Sequence, residues 1–527
     1  MRAPNLTHRS AVTTSIPNDT PAVPQAPAPA ALPDALAGAL VFFASGAVLV
    51  LEILAGRMLA PYVGVTLETY TAIIGVVLAG IAFGTWAGGR IADWVDPRVT
   101  LGPVLIVGGL LAVATLPLVR ALGELMVARG GGSSILVVAL FAFFPPAAVL
   151  SAVTPTTVKL QLASLRETGA VVGRLSALGT AGALVGTFLT GFALVAELAT
   201  TPIVLGVGGA LVLAGIVLAA VLGRGRPSAA GLGALAVALA LGALAVAIGD
   251  RCQVETAYHC ARVEADPSRP SGRLLLLDTL SHSYVDLADP TYLAFDYTRL
   301  IGDAIDAFRP AGAAVDALHI GGGGFTIPRY VDATRPGSQS LVLEVDPALL
   351  ELARERLGLR TRPQLAVRTG DARVALAREP SGARDLVVGD AFGGLAVPWH
   401  LTTLEVVREV RRTLTPRGIY ALNVIDYPPL HFARAEARTL ARGFRHVALL
   451  APPESVSGRS GGNFILLASQ APLPLEGLRE RIAARGGGEE VVSGRPLGRF
   501  FAGAPLLTDE YAPVDQLLTP GLPAASH

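Results

Sequence analysis

Three acids fall at the ends of apolar runs, at a spacing that suits a single site. Glu344 closes Leu341-Val342-Leu343, Asp371 follows Gly370 after a third run, and Asp390 follows Leu386-Val387-Val388-Gly389. Ahead of them Ala317-Leu318-His319-Ile320 stops in four glycines, Gly321 to Gly324. Glycines let a backbone close on a nucleotide-like ligand, and an acid ending the next strand accepts ribose hydroxyls. Gly321 and Gly323 are therefore candidate binding positions, and Glu344 a candidate ribose acceptor. Asp346 reads instead as the cap of a helix starting at Pro347. Asp371 either accepts from an adenine amino group or caps a helix. Asp390 is either a turn aspartate or a general base, because an ionised carboxylate beside an amine can take its proton. His282 can face the ligand from a preceding hairpin. His319, inside a strand, reads as a buried histidine with its hydrogen bonds met.

Such acids converge only if a sheet brings them to one edge. Strand-like runs lie at 315–320, 340–345, 364–368, 385–389, 418–424, 445–450 and 463–468. Helical stretches at 326–334, 347–357, 372–378, 401–414, 432–442 and 475–484 alternate with most of them. That alternation predicts an α/β, mainly parallel, doubly wound Rossmann-like domain over 311–527, with ligands at the carboxyl ends of the strands. Residues 250–310 mix the strand-like Arg273–Asp278 and Ser281–Asp286 with a helix over 292–308, which predicts a small β-hairpin subdomain and a linker helix.

The first half of the chain is of another kind. Residues 1–249 hold 12 Lys/Arg and 9 Asp/Glu, against 30 and 32 in the remainder. A Pro/Ala-rich tail over 1–34 is expected to be disordered. Residues 35–249 contain about seven apolar stretches, 36–60, 70–92, 101–120, 134–153, 174–197, 202–222 and 229–248, each near the roughly 20 residues that cross a bilayer. A multi-pass α-helical membrane domain is expected, with a lipid bilayer as partner. Gly80, Gly84 and Gly88, and again Gly182 and Gly186, lie four apart, which lets helices approach closely. Glu52 and Arg57 are charges at or near membrane depth, which either pair or snorkel. Arg90, Arg98, Lys159, Arg166, Arg174, Arg224 and Arg226 lie in even-numbered loops, and only Arg120 and Arg129 in odd ones. The positive-inside rule then puts the soluble half outside, whereas a nucleotide-like substrate points to the cytoplasm. Cys252 and Cys260 either form a disulfide or remain two separate thiols.

A net charge of +1 without a basic block argues against nucleic acid. The histidines and the two cysteines show no metal-ligand spacing, so no metal is expected.

Taken together, Leu277-Asp278 with His282, His319-Ile-Gly-Gly-Gly-Gly-Phe325, Leu343-Glu-Val-Asp346, Gly370-Asp-Ala372, Asp385-Leu-Val-Val-Gly-Asp390, Val397-Pro-Trp-His-Leu-Thr-Thr403 and Leu507-Thr-Asp-Glu-Tyr-Ala-Pro513 resemble the spermidine synthase (polyamine aminopropyltransferase) family. More narrowly they resemble its membrane-embedded bacterial branch, which implies a multi-pass protein of the bacterial cell membrane. The resemblance implies a fold of the S-adenosylmethionine methyltransferase type. It also implies transfer of an aminopropyl group from decarboxylated S-adenosylmethionine, a co-substrate rather than a bound cofactor, to a putrescine-like polyamine or other small amine. By that resemblance Glu344 binds the ribose, Asp371 and Ala372 the adenine end, and Asp390 deprotonates the attacking amine. Tyr292 or Tyr297 would serve the acceptor site, and a homodimer is left open. The chain departs from the family at Gly324 and Gly393, where acids are usual, and at His282, where a glutamine is usual. The alternatives are an S-adenosylmethionine-dependent methyltransferase and a transporter or sensor that binds a nucleoside or polyamine without turnover.

Overall fold

The computed structural model describes residues 32–63, 67–127, 135–162, 168–222, 229–249, 251–393 and 397–518. Nearly all of the expected tail, residues 1–31, lies outside the described residues, as do Arg129, Arg166, Arg224 and Arg226.

Long apolar runs cannot leave backbone groups unpaired in an apolar medium, and a helix satisfies them within one segment. Among the described residues six helices are long and apolar enough to cross a membrane: Asp34–Val63, Glu68–Trp94, Pro97–Leu125, Ile135–Gln161, Thr168–Glu197 and Thr200–Leu222. The seventh apolar stretch is the 20-residue helix Ala229–Ile248. The segment after residue 153 continues the fourth helix. Three helix pairs dominate the packing, and each closes on small residues. A Cβ added to Gly186 would lie 2.6 Å from the Gly46 carbonyl oxygen, one on Gly80 would lie 2.9 Å from Ala147 Cβ, and one on Gly109 would lie 2.6 Å from the Gly208 carbonyl oxygen. The first two pairs use the spacings read from the sequence. The third, between the third and sixth helices, was not anticipated, because Gly102, Gly109, Gly208 and Gly215 recur at seven residues rather than four.

Two sheets follow. The small one is an antiparallel ladder of β1 (Val254–Glu255), β2 (Cys260–Asp266), β3 (Arg269–Leu277) and β4 (Leu280–Asp286). The helix Asp296–Phe308 links it to a large sheet. That sheet comprises β5 (Asp316–Ile320), β6 (Gln339–Glu344), β7 (Leu365–Thr369), β8 (Arg384–Gly389), β9 (Leu414–Asp426), β10 (His446–Ala451), β11 (Gly462–Ser469) and β12 (Glu490–Ser493). Its order is β12-β10-β11-β9-β8-β5-β6-β7. Of the seven pairings, four are parallel and three antiparallel, so the sheet is mixed rather than mainly parallel. Two of the antiparallel pairings come from β11, which inserts between β9 and β10, and the third from the edge strand β12; hydrophobic runs give a strand's place but not its direction. The four-residue β12 is too short to stand out in sequence. One face of the sheet packs on the helices Leu404–Thr413 and His431–Gly443, the other on Asp296–Phe308, Thr326–Thr334 and Leu475–Ala484. The small sheet packs through Ala261, Leu275 and Val285 against the helix Pro347–Arg356.

The C-terminal half is seated on one end of the bundle. Arg57, near the end of the first helix, is bound by Glu255 at 2.9 Å and donates to the Thr256 carbonyl at 2.6 Å. Thr200 N–H also donates to Glu255, at 2.8 Å. Arg57 therefore belongs to the junction with the small sheet. The opposite end carries Lys159 paired with Asp93 at 2.8 Å, and Arg174 paired with Asp34.

Candidate active site

The glycine run turns the chain from β5 into the helix Thr326–Thr334. Gly321 has φ 95°, and the Asp390 backbone passes so close that a side chain at 321 would collide with it. That contact joins the ends of β5 and β8, and Asp390 N–H donates to the Ile320 carbonyl at 2.8 Å. Glu344, at the end of β6, accepts from Gly322 N–H at 2.8 Å through one oxygen and from Asp346 N–H at 2.9 Å through the other. Burial pushes its pKa up while those N–H groups pull it down. Gly323 lies against His282, with 2.9 Å between an added Cβ and the ring Cε1. Asp346 caps the next helix through Ala348 and Leu349 N–H. Asp371 caps the helix Ala372–Leu376 through Arg373 and Val374 N–H, with Ala372 as its first residue, and His400 Nε2 lies 3.5 Å from its other oxygen. The capping role weighed for Asp371 is thus filled, and one oxygen points elsewhere.

Asp390 sits where the glycine run meets a cavity of about 480 Å³. Asn423 Nδ2 donates to its Oδ1 at 2.9 Å, Asn463 donates in turn to Asn423 at 3.0 Å, and Tyr297 Oη is 3.4 Å from Oδ2. Burial raises its pKa to about 6, with the Asn423 and Tyr297 bonds opposing. His282 lines the same cavity with Nδ1 3.1 Å from Ser283 Oγ, and burial lowers its pKa to about 4, so it is neutral. Of the two tyrosines, Tyr297 lines the cavity. Tyr292 instead packs under the Arg269 guanidinium, 3.8 Å from its ring centre.

The residues missed are Asn423 and Asn463; the signal was a polar side chain inside each of the apolar strands β9 and β11. Asp296 and Glu489 also line the cavity, each paired with a neighbouring arginine outside the lining. Three carboxylates and no Lys or Arg line it among the described residues. Gly324 N–H donates to Ser283 Oγ at 3.0 Å, and a Cβ at 324 would lie 2.6 Å from Ser283 Cβ, so Ser283 occupies the space an acid there would need. Gly393 has open space around it. His319 is buried, but neither ring nitrogen has a partner among the described residues, contrary to the expectation of a satisfied histidine; burial lowers its pKa to about 3. Cys252 and Cys260 are joined as a disulfide. Among the described residues no cluster of metal ligands occurs.

The sheet order, with acids at the carboxyl ends of its parallel strands, defines a Rossmann-like α/β architecture with a mixed sheet. The chain is 29 % identical over 160 residues to the polyamine aminopropyltransferase of Vibrio vulnificus, covering 30 % of this chain and 51 % of that protein. It is 28 % identical over 145 residues to that of Chromobacterium violaceum, covering 27 % and 53 %. The chain thus spans about half the length of the curated relatives it matches. Among solved structures it resembles a probable spermidine synthase from Corynebacterium glutamicum, at 28 % identity and a TM-score of 0.46, over 50 % of this chain and 97 % of that one. No family model matches the chain.

Proposed function

We propose that the chain is a membrane-embedded aminopropyltransferase-like enzyme. Glu344 and the glycine run hold the nucleoside of decarboxylated S-adenosylmethionine, with Asp371 and Ala372 at its adenine end, and an amine acceptor enters the cavity beyond Asp390. The observation that carries this reading is the position of Asp390, between the glycine run and a cavity lined by carboxylates with no Lys or Arg among the described residues. Such a lining orients a cationic amine. The amine nitrogen attacks the carbon next to the sulfonium, the carbon–sulfur bond breaks, methylthioadenosine leaves, and Asp390 takes the amine proton. Asn423 and Asn463 hold the carboxylate in place, and Tyr297 flanks it. The test is Asp390→Asn: turnover should fall by about 10²–10⁴-fold while nucleoside affinity is kept. Full activity in that variant would sink the base assignment.

A second reading, methyl transfer from S-adenosylmethionine, is favoured by one observation. Ser283 fills the place where an acid would hold the donor's amine, and a methyl donor does not need that acid. It predicts S-adenosylhomocysteine as the product.

The site lies at the bundle end opposite Arg90, Arg98, Lys159 and Arg174. With those residues on the cytoplasmic side, the soluble half faces outward, and a Cys252–Cys260 disulfide fits an oxidising compartment.

A further inference from the structure

His319 stands in β5, directly ahead of the glycine run, paired in register with Val342 on one side and Val388 on the other. Its neighbours Leu318 and Ile320 join the cluster on the far face of the sheet. Side chains alternate along a strand, so His319 projects to the face covered by the helix Thr326–Thr334. It is 1 % exposed, and neither ring nitrogen has a partner among the described residues. A neutral imidazole carries one donor and one acceptor, and burying both unmet is costly. The ring lines a small cavity together with Ser283, Tyr297, Thr326 and Asp390. That cavity leaves about 10 Å³ for the centre of a water molecule, close to what one buried water needs, and such a water uses two to four polar partners. Two of the polar neighbours are already committed. Thr326 Oγ1 donates to the Tyr284 carbonyl at 2.9 Å, and Ser283 Oγ accepts from Gly324 N–H at 3.0 Å. Asp390 and Tyr297 also line the larger acceptor cavity, so the two spaces meet at the carboxylate. Asn423 holds Oδ1 of Asp390 at 2.9 Å, whereas Oδ2 has the longer contact of 3.4 Å with Tyr297 Oη. The other titratable groups near the pair are His282 from β4, which is neutral, and Arg384 at the start of β8, whose charge adds to burial in keeping His319 unprotonated.

We propose that His319 is a positioning residue for Asp390, acting through one buried water that bridges its ring and the carboxylate. The inference rests on the proposed role of Asp390 as the base. The water donates one hydrogen to the carboxylate and makes its other bond at a His319 ring nitrogen. A hydrogen bond donated to a carboxylate favours the ionised form, so the bridge works against burial and keeps the base charged nearer to neutral pH. No covalent bond is made or broken in this role, and the amine proton still passes to Asp390.

The test is the pH profile of kcat for methylthioadenosine release by the full-length protein in lipid nanodiscs, with decarboxylated S-adenosylmethionine and putrescine. His319→Leu keeps much of the volume and offers no hydrogen bond. Its acid limb should move up by about one pH unit, the scale of one hydrogen bond to a charged group, with KM within about twofold of the parent chain. His319→Gln, which keeps a donor and an acceptor, should restore most of that shift. An unmoved limb in His319→Leu would overturn the proposal, as would kcat and KM altered equally at every pH together with a lower Tm. A structure of the parent chain at water-resolving resolution decides the matter even if both variants misfold. Density for one water within hydrogen-bond distance of His319 and Asp390 supports the bridge, and its absence overturns it. Failure of the parent chain itself to release methylthioadenosine would overturn the underlying reaction, a result distinct from these.

Discussion

Asp390 carries the sharpest residue-level consequence. A base with a pKa near 6 must be ionised to act, so kcat should fall about tenfold per pH unit below that value and level off above it. A rate profile flat from pH 5 to 8 would contradict the assignment. Glu436 offers a test of stability. It is buried in the helix His431–Gly443 with one oxygen unpartnered, and burial raises its pKa well above the ordinary range. A carboxyl raised on folding binds its proton more tightly in the folded state, so its stabilisation is full below the ordinary glutamate pKa and is lost as pH rises towards the folded value. Glu436→Gln should therefore gain in Tm relative to the parent as pH goes from 6 to 8, read by thermal unfolding; a variant destabilised equally at both would contradict it. Glu344, Asp371 and Asp390 were legible in the sequence because each ends or follows an apolar strand, and strand ends of a parallel region share an edge. Asn423 and Asn463 were not, because they come from a later strand and an inserted antiparallel strand, and only tertiary packing brings those to Asp390.

At the scale of elements, the bundle depends on helices approaching to backbone contact. Gly84 in the second helix lies against the backbone of Ala148. Gly84→Leu should separate that pair and destabilise the bundle by about 1–3 kcal/mol, seen as a lower Tm in detergent. An unchanged Tm would show that the close approach contributes little. Arg57 is the corresponding anchor between bundle and small sheet. Arg57→Ala removes the cationic partner of Glu255, leaving it Thr200, and frees the Thr256 carbonyl, so limited proteolysis should cut near residues 249–256 faster than in the parent chain; equal protection would place the junction's strength elsewhere. The apolar stretches and most strands were visible in sequence because burial on both faces writes continuous hydrophobic runs. The direction of β11 was not, since periodicity is the same for a strand run either way. The small-residue spacing of the third helix pair was hidden by its wider repeat.

At the scale of the whole molecule, two bodies meet at one polar junction, with the candidate site beyond it. The orientation proposed here makes a direct prediction. Cys252 and Cys260 should resist membrane-impermeant thiol reagents in intact cells and become labelled once an impermeant reductant is added. Labelling only after the membrane is opened would put the soluble half in the cytoplasm. The bundle itself could be read as a set of apolar helices, but its contact with the small sheet through Glu255 and Thr256 could not, because it joins residues some 200 positions apart in sequence. The proposed reaction is open to direct measurement. The purified full-length protein, incubated with decarboxylated S-adenosylmethionine and putrescine, should release methylthioadenosine and an aminopropylated amine in equal amounts by mass spectrometry. No methylthioadenosine with that donor, and S-adenosylhomocysteine instead with intact S-adenosylmethionine, would contradict it.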